Sequence, residues 1–212
     1  MKRFCLFSFL LFATLALQAQ RPYFCVTEGT VMEYANYGND GETSGYTRIT
    51  VKNVEGTDGN YSITYQTSML DVDRQPLFDV EEMTVSIDNG NVSASLGSVG
   101  IVEISGDVPV IPSRLAVGQE LDGGTVKLTT MGMSFTSEIL SHKVTGREEL
   151  KTPAGTFKCY IVEMTSEARV FGRKSTSTSR NWYARGLGSI KSETVDEDGN
   201  ITGSQILIKL ED

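Results

Sequence analysis

Five Asx-Gly pairs punctuate the chain: Asp40-Gly41, Asp58-Gly59, Asn89-Gly90, Asp122-Gly123 and Asp198-Gly199. A two-residue hairpin turn of type I′ needs positive φ at both central positions, which Asn, Asp and Gly tolerate best. The pairs therefore mark hairpins. Between them the side chains alternate. Tyr61, Ile63, Tyr65 and Thr67 point one way, and Ser62, Thr64, Gln66 and Ser68 the other. In YTRITVKNV, Thr47, Ile49 and Val51 share a face opposite Arg48, Thr50 and Lys52. Such alternation marks strands with one face buried and one wet. Similar runs near 30–37, 77–87, 124–130, 134–145, 157–168, 174–183, 188–195 and 201–210 bring the expectation to about ten antiparallel strands. Leu77 to Val85 reads as strand because of Pro76 and its β-branched residues.

Helix signals are sparse. One turn is expected at Pro112 to Val117, with proline near its start and Gly118 beyond its end. The glycine-rich stretch SASLGSVGIVEISGDVPVIP, 93–112, is too irregular for a regular strand and is expected to wrap the sheet as a loop. No repeat of fixed period and no linker appears. The fold class is all-β, with residues 20–212 as a single domain.

The N-terminus is a separate segment. Met1-Lys2-Arg3 is cationic, Phe4 to Leu17 is apolar and uncharged, and Leu17-Gln18-Ala19 is a small-residue exit. This is the pattern of a secretory signal peptide, 1–19, cut after Ala19. The apolar run is shorter than the ~20 residues a membrane span needs, and no later segment could form a transmembrane helix. Cys25 follows Pro22-Tyr23-Phe24, which is no lipid-attachment site. An outer-membrane barrel is disfavoured, because it needs a continuous lipid-facing apolar band and most outward positions here are Ser, Thr, Lys, Arg or Glu. The expected location is exported, either periplasmic or at the cell surface.

Charge narrows the partners. Without Lys2 and Arg3 the chain carries 17 basic and 27 acidic residues, which argues against nucleic acid. Cys5 leaves with the signal peptide, so Cys25 and Cys159 remain. In an exported protein the two can form a disulfide, or pack as small buried hydrophobes; both states are open.

Chemistry is poorly represented. His142 is the single histidine, on a polar strand expected to face water, with no nucleophile motif beside it. One histidine and two distant cysteines give no zinc site. Asp196, Glu197 and Asp198 lack the ligand spacing of a calcium loop and fit a hairpin turn. Asp71 and Asp73 share a strand face and are read as solvated. No catalytic residue, metal ligand or cofactor is assigned. One window stands apart. From Ala168 to Lys191 there are six basic residues, Arg169, Arg173, Lys174, Arg180, Arg185 and Lys191, and no acidic one. Such asymmetry can attract an anionic group, although cross-strand pairing with acidic neighbours would also account for it. Trp182 lies in the same window beside Tyr183 and the Gly186-Leu187-Gly188 bend.

TPAGTFKCYIVEM (152–164), WYARGLGSIKSET (182–194) and LAVGQEL (115–121) together resemble the exported bacterial DUF3108-like family, also labelled TapB-like. The resemblance covers roughly 110–210. It implies an antiparallel sheet curled into an open or half barrel, similar to the periplasmic lipoprotein carriers of the LolA and LolB type, and it implies no reaction. The chain lacks the long lid helices of those carriers. Pro153 and Gly155 then set a turn, and Cys159 shares a strand face with Phe157 and Ile161 as part of the frame. The leading expectation is a non-catalytic envelope protein whose curved sheet holds an apolar or amphiphilic ligand, an anionic small molecule or a partner segment. Tyr61, Tyr65, Phe135, Ile161 and Trp182 are expected to point inward, with Arg169, Arg173, Arg180 and Arg185 at the rim. A structural or interaction protein with a filled core is the second reading, and a hydrolase working through unidentified carboxylates the third.

Overall fold

The computed structural model describes residues 21–212 apart from 78–80, 95–96, 100–101, 131–132 and 171–172. The expected signal peptide lies outside the described residues. Fourteen strands run in chain order: β1 (Val31–Tyr37), β2 (Thr43–Thr57), β3 (Asn60–Leu70), β4 (Glu81–Asp88), β5 (Asn91–Ala94), β6 (Gly97–Val99), β7 (Val102–Gly106), β8 (Val110–Ile111), β9 (Thr125–Thr130), β10 (Met133–Thr152), β11 (Gly155–Val170), β12 (Arg173–Ala184), β13 (Gly188–Val195) and β14 (Ile201–Glu211). They form one sheet in the order β6-β7-β9-β10-β11-β12-β13-β14-β1-β2-β3-β4-β5-β8. Every pairing between them is antiparallel. Among the described residues there is no helix.

The Asx-Gly pairs act as their dihedral preferences dictate, with one exception. Asp58-Gly59 and Asn89-Gly90 have φ of 53° and 88°, and 50° and 79°, at the β2–β3 and β4–β5 turns. Asp40-Gly41 and Asp198-Gly199 also sit in hairpin turns, with positive φ at the glycine alone. Asp122-Gly123 does not make a hairpin; it lies in the approach to β9, where the Asp122 carbonyl meets the His142 ring.

Two expectations about the middle of the chain are corrected. The glycine-rich stretch contributes β5 to β8 rather than a loop, which accounts for the four strands beyond ten. Its strands are only two to five residues long, too short for alternation to register. The turn of helix at Pro112 to Val117 is absent. Just beyond it the chain runs as a strap along β10, with Gly118 N–H donating to Val144 O, Val144 N–H to Gln119 O and Leu121 N–H to His142 O at 2.8–2.9 Å. Extended pairing satisfies those backbone groups without a helix.

The sheet curls strongly. Ala94 and Gly97 are three peptide units apart, so at most about 11 Å separates them, yet β5 and β6 stand near opposite ends of the strand order. The N-terminal segment says the same. Tyr23 meets Tyr160 of β11 edge to face at 6.2 Å, and the adjacent Phe24 meets Tyr65 of β3 at 5.7 Å. Those strands are six steps apart, roughly 29 Å along a flat sheet at about 4.8 Å per step. Two consecutive residues reach both only because the sheet bends around them.

The segment therefore plugs one end of an open barrel. Tyr23 and Cys25 are buried with Met32, Tyr34, Val51, Ile63, Val85, Ile87, Ile190 and Leu207 in one core cluster. Two tyrosines in this core differ instructively. Tyr34 Oη donates to Ser189 O at 3.0 Å, whereas the buried Tyr23 hydroxyl has no partner among the described residues. A buried hydrogen bond contributes about 1 kcal/mol net, and an unpaired polar group costs stability. Tyr34→Phe is thus expected to lose about 1 kcal/mol while Tyr23→Phe is neutral or stabilising. Urea titration of both variants checks this; equal losses would mean that the Tyr23 hydroxyl is paired.

Candidate functional site

Toward the other end of the barrel the concave face changes character. Asn36 follows Tyr34 by two residues, Thr47 precedes Ile49 by two, Ser192 follows Ile190 by two and Gln205 precedes Leu207 by two. Successive side chains alternate faces, so each of these shares the face of its core neighbour. Together with Thr194, Gly203, Gly45 and Met69 they line a hollow of about 390 Å³, bordered also by Tyr37, Ser44, Leu70, Leu77 and Ser204. That volume falls within the range of small-molecule sites, roughly 300–1,000 Å³. No lining residue carries a charged side chain.

Its floor is ordered across three adjacent strands. Gln205 Nε2 on β14 donates to Asn36 Oδ1 on β1 at 2.8 Å, and Asn36 Nδ2 donates to Thr47 Oγ1 on β2 at 3.0 Å. Gly203 leaves the space open. A Cβ built there would meet only the Tyr37 carbonyl oxygen at 3.7 Å. Gly45 is constrained instead: its φ is +148°, and a Cβ would meet Leu70 O at 2.4 Å.

The charged residues of the same strands lie on the opposite face. Glu33 of β1, only 3 % exposed, accepts hydrogen bonds from Arg48 at 2.9 Å and from Arg74. Burial by itself would push the Glu33 carboxyl up, but the hydrogen bonds and charges of Arg74 and Arg48 outweigh it and hold it below the usual carboxylate range. Arg74, at φ 62° in the β3–β4 connection, also stacks on Tyr46 at 4.1 Å.

The sequence-derived candidates divide between the faces. Cross-strand partners share a face, so the register can be followed from strand to strand: Trp182 opposite Lys191, Lys191 opposite Ile206, Ile206 opposite Ala35, Ala35 opposite Tyr46, Tyr46 opposite Leu70. Leu70 is five residues from Tyr65, which puts Trp182 and Tyr65 on opposite faces. Tyr61 and Tyr65 belong to the concave face and pack against the core. Phe135 falls on the same side: Ser137, two residues on, pairs with Ala168, which shares a face with Val162. Val162 connects through Asn181, Ser192 and Gln205 to Asn36 of the hollow. Ile161 pairs with Trp182 on the other face of the strands, yet Trp182 belongs to the same core cluster and Ile161 packs against it, as Tyr61 and Tyr65 do. Trp182 is buried there, with Lys191 over its ring at 4.5 Å and its Nε1–H donated to Glu148. Alternation within a strand cannot transmit facing between strands when bulges intervene, as at Trp182/Tyr183.

The arginines do not gather at one rim. Arg180 bridges Glu163 at 3.1 Å and Glu193 at 3.4 Å. Arg169 and Lys174 both meet Glu167, which lowers that carboxyl chiefly through the Lys174 hydrogen bond. Arg185 lies in the β12–β13 turn, donating to Arg21 O at 3.0 Å and covering the Tyr23 ring at 4.5 Å. It clamps the N-terminal plug. Arg173 opens β12 opposite Val170; its side chain lies outside the described residues.

The remaining candidates are structural. Cys25 and Cys159 are free, buried thiols; burial, then the Glu148 charge, pushes the Cys159 thiol up to about 11, so little thiolate forms at neutral pH. His142 is buried, a correction to the expected wet position, because the 118–121 strap covers its strand. Its Nδ1–H donates to Asp122 O at 2.9 Å. Asp71 and Asp196 accept backbone N–H groups in turns. Among the described residues no group of three or more His, Cys, Asp or Glu is placed to hold a metal ion, and no helix is long and apolar enough to cross a membrane. Sequence reasoning missed Asn36, Thr47, Ser192 and Gln205. Their signal was present as uncharged polar residues in register with core positions, but it resembles an ordinary wet strand face until the curl is known.

These features define a class: an open, all-antiparallel β-barrel, plugged at one end and hollow toward the other. The chain belongs to the DUF3108-like family, whose model matches residues 27–207. Solved structures share the fold. A protein described as exported, with a YmcC-like fold, from Bacteroides fragilis is 19 % identical, with a TM-score of 0.75 over 91 % of this chain and 100 % of that one. A protein described as a lipoprotein, from Parabacteroides distasonis, is 18 % identical, with a TM-score of 0.77 over 91 % of this chain and 99 % of that one. No curated protein matches the chain.

Proposed function

We propose that this protein is a non-catalytic component of the cell envelope, exported through its N-terminal 1–19 segment, that holds a ligand in the hollow of its curved sheet. The observation that carries this reading is the hollow itself. It opens on the concave face in continuity with the core, its floor is fixed by hydrogen bonds between three strands, and no lining side chain is charged. A binding role fits the side chains better than a catalytic one. His142 has its Nδ1 committed to a backbone carbonyl, and Glu33, Glu163, Glu167 and Glu193 are each paired with cations. The descriptions of the two fold neighbours as exported protein and lipoprotein agree with an envelope location. On this reading the arginines of the 168–191 window brace strands and the plug, and the ligand sits on the other face.

Gly203→Leu provides the test. The substitution meets ordinary contact distance at its Cβ and extends a side chain into the hollow. Native mass spectrometry of protein purified from its own envelope is expected to show a bound small molecule in the wild type and none in Gly203→Leu. Thermal unfolding of the two should be alike. A ligand retained by the variant would place binding elsewhere, and a wild type with no ligand would favour the filled-core interaction protein.

A further inference from the structure

We infer that the ligand of this hollow is a neutral, hydroxyl-rich molecule, an uncharged oligosaccharide, in place of an anionic or purely apolar one. The inference rests on the binding reading above and specifies its chemistry.

The first argument is the separation of charge between faces. Arg48, Glu33, Lys191, Glu193 and Arg180 come from the strands that build the hollow or stand beside it, and all point away from it. An anionic head group placed inside would be desolvated with no cation to receive it, and burying an unpaired charge costs several kcal/mol. The second argument is the donor and acceptor inventory. Asn36, Thr47, Ser192, Thr194 and Gln205 offer hydroxyls and amides only. Each amide has two N–H donors and a carbonyl acceptor. Gln205 and Asn36 each use one N–H in the floor network, which fixes their planes and leaves a second donor on each. Paired donors and acceptors in fixed planes match adjacent sugar hydroxyls, which donate and accept in turn. An aliphatic chain would strip water from these groups and return nothing.

The rim completes the match. Tyr37 is half-buried beside the hollow, and Met69 and Leu77 are 46 % and 50 % exposed at its edge. Sugar rings carry apolar C–H faces that pack on such surfaces. A peptide strand fits less well. Segments captured by a sheet usually add to an exposed edge through backbone hydrogen bonds, whereas β14, β1 and β2 are interior to the strand order, each paired on both sides.

The experiment is a calorimetric and saturation-transfer NMR titration of full-length mature protein against neutral gluco-, galacto-, manno- and N-acetylglucosamine trisaccharides. Dodecyl sulfate below its micelle point serves as the anionic amphiphile. At least one trisaccharide is expected to bind, with affinity unchanged between 0.05 and about 0.5 M salt because no ion pair is formed. Gln205→Ala and the near-isosteric Thr47→Val should each weaken it about tenfold, Gly203→Leu should abolish it, and Arg180→Glu should leave it unchanged. If Gln205→Ala fails to fold, Thr47→Val carries the same reading. Absence of binding by every trisaccharide overturns the inference. If dodecyl sulfate then binds in a manner that Gly203→Leu abolishes, the hollow is still a ligand site and only its assigned chemistry is wrong. If Gly203→Leu affects neither probe, the binding reading falls as well.

Discussion

Truncation of Leu207 to alanine is expected to destabilise the protein by about 3 kcal/mol. Leu207 is fully buried and lies opposite Tyr34 in the β1–β14 pairing, where the last strand meets the first. Removing a buried leucine loses its transfer free energy and leaves a cavity that surrounding strands close only in part. Here collapse is restrained on both sides, because β14 is hydrogen-bonded to β13 and to β1. For a chain of this size the loss corresponds to a fall in Tm of roughly 6–12 °C. Differential scanning calorimetry reads it directly. A fall of only a degree or two would mean that the seam between the chain's ends is loosely packed.

Glu33→Gln is expected to lose about 2 kcal/mol at neutral pH, with a characteristic acid dependence. Glutamine keeps the shape but removes the charge that Arg48 and Arg74 neutralise. Both guanidiniums are about half exposed and regain water, so the loss stays below that of a fully buried ion pair. The sign follows from the depressed carboxyl of the folded state. Its stabilisation is fully present above the unfolded glutamate value of about 4.3 and disappears as pH falls through the lower folded value. Wild-type and variant stabilities should therefore differ most near pH 7 and converge in acid. Denaturant unfolding at pH 7, 5, 4 and 3 measures this; a constant gap would show that the effect is packing and not charge.

Much of the fold is legible one strand at a time. The dihedral demands of Asp58-Gly59 and Asn89-Gly90 announce their turns, and the alternation through Tyr61, Ile63 and Tyr65 announces a half-buried strand, because both are local properties of the backbone. The family resemblance also holds, and the match runs over residues 27–207, well beyond the roughly 110–210 that the motifs cover. Legibility fails where a property depends on distant partners. The short strands β5 to β8 have too few residues to alternate, and they are strands because edges of the curled sheet accept them. His142 stands among polar residues in sequence, yet the strap from Gly118 to Leu121 buries it.

By itself, then, the sequence determined that this chain is a meander of antiparallel strands broken by glycine turns, since turn geometry and period-two alternation act within a few residues. Tertiary structure alone decided how far the sheet curls, which end Tyr23 and Phe24 plug, and which side each strand turns inward. Bulges such as those at Glu33/Tyr34 and Trp182/Tyr183 reset the register between neighbours, so facing cannot be carried from strand to strand by counting. That is why Arg180, a near neighbour of core residues in sequence, belongs to the face that carries Glu163 and Glu193. It is also why Asn36, Thr47, Ser192 and Gln205, scattered over 170 positions of chain, meet around one uncharged hollow.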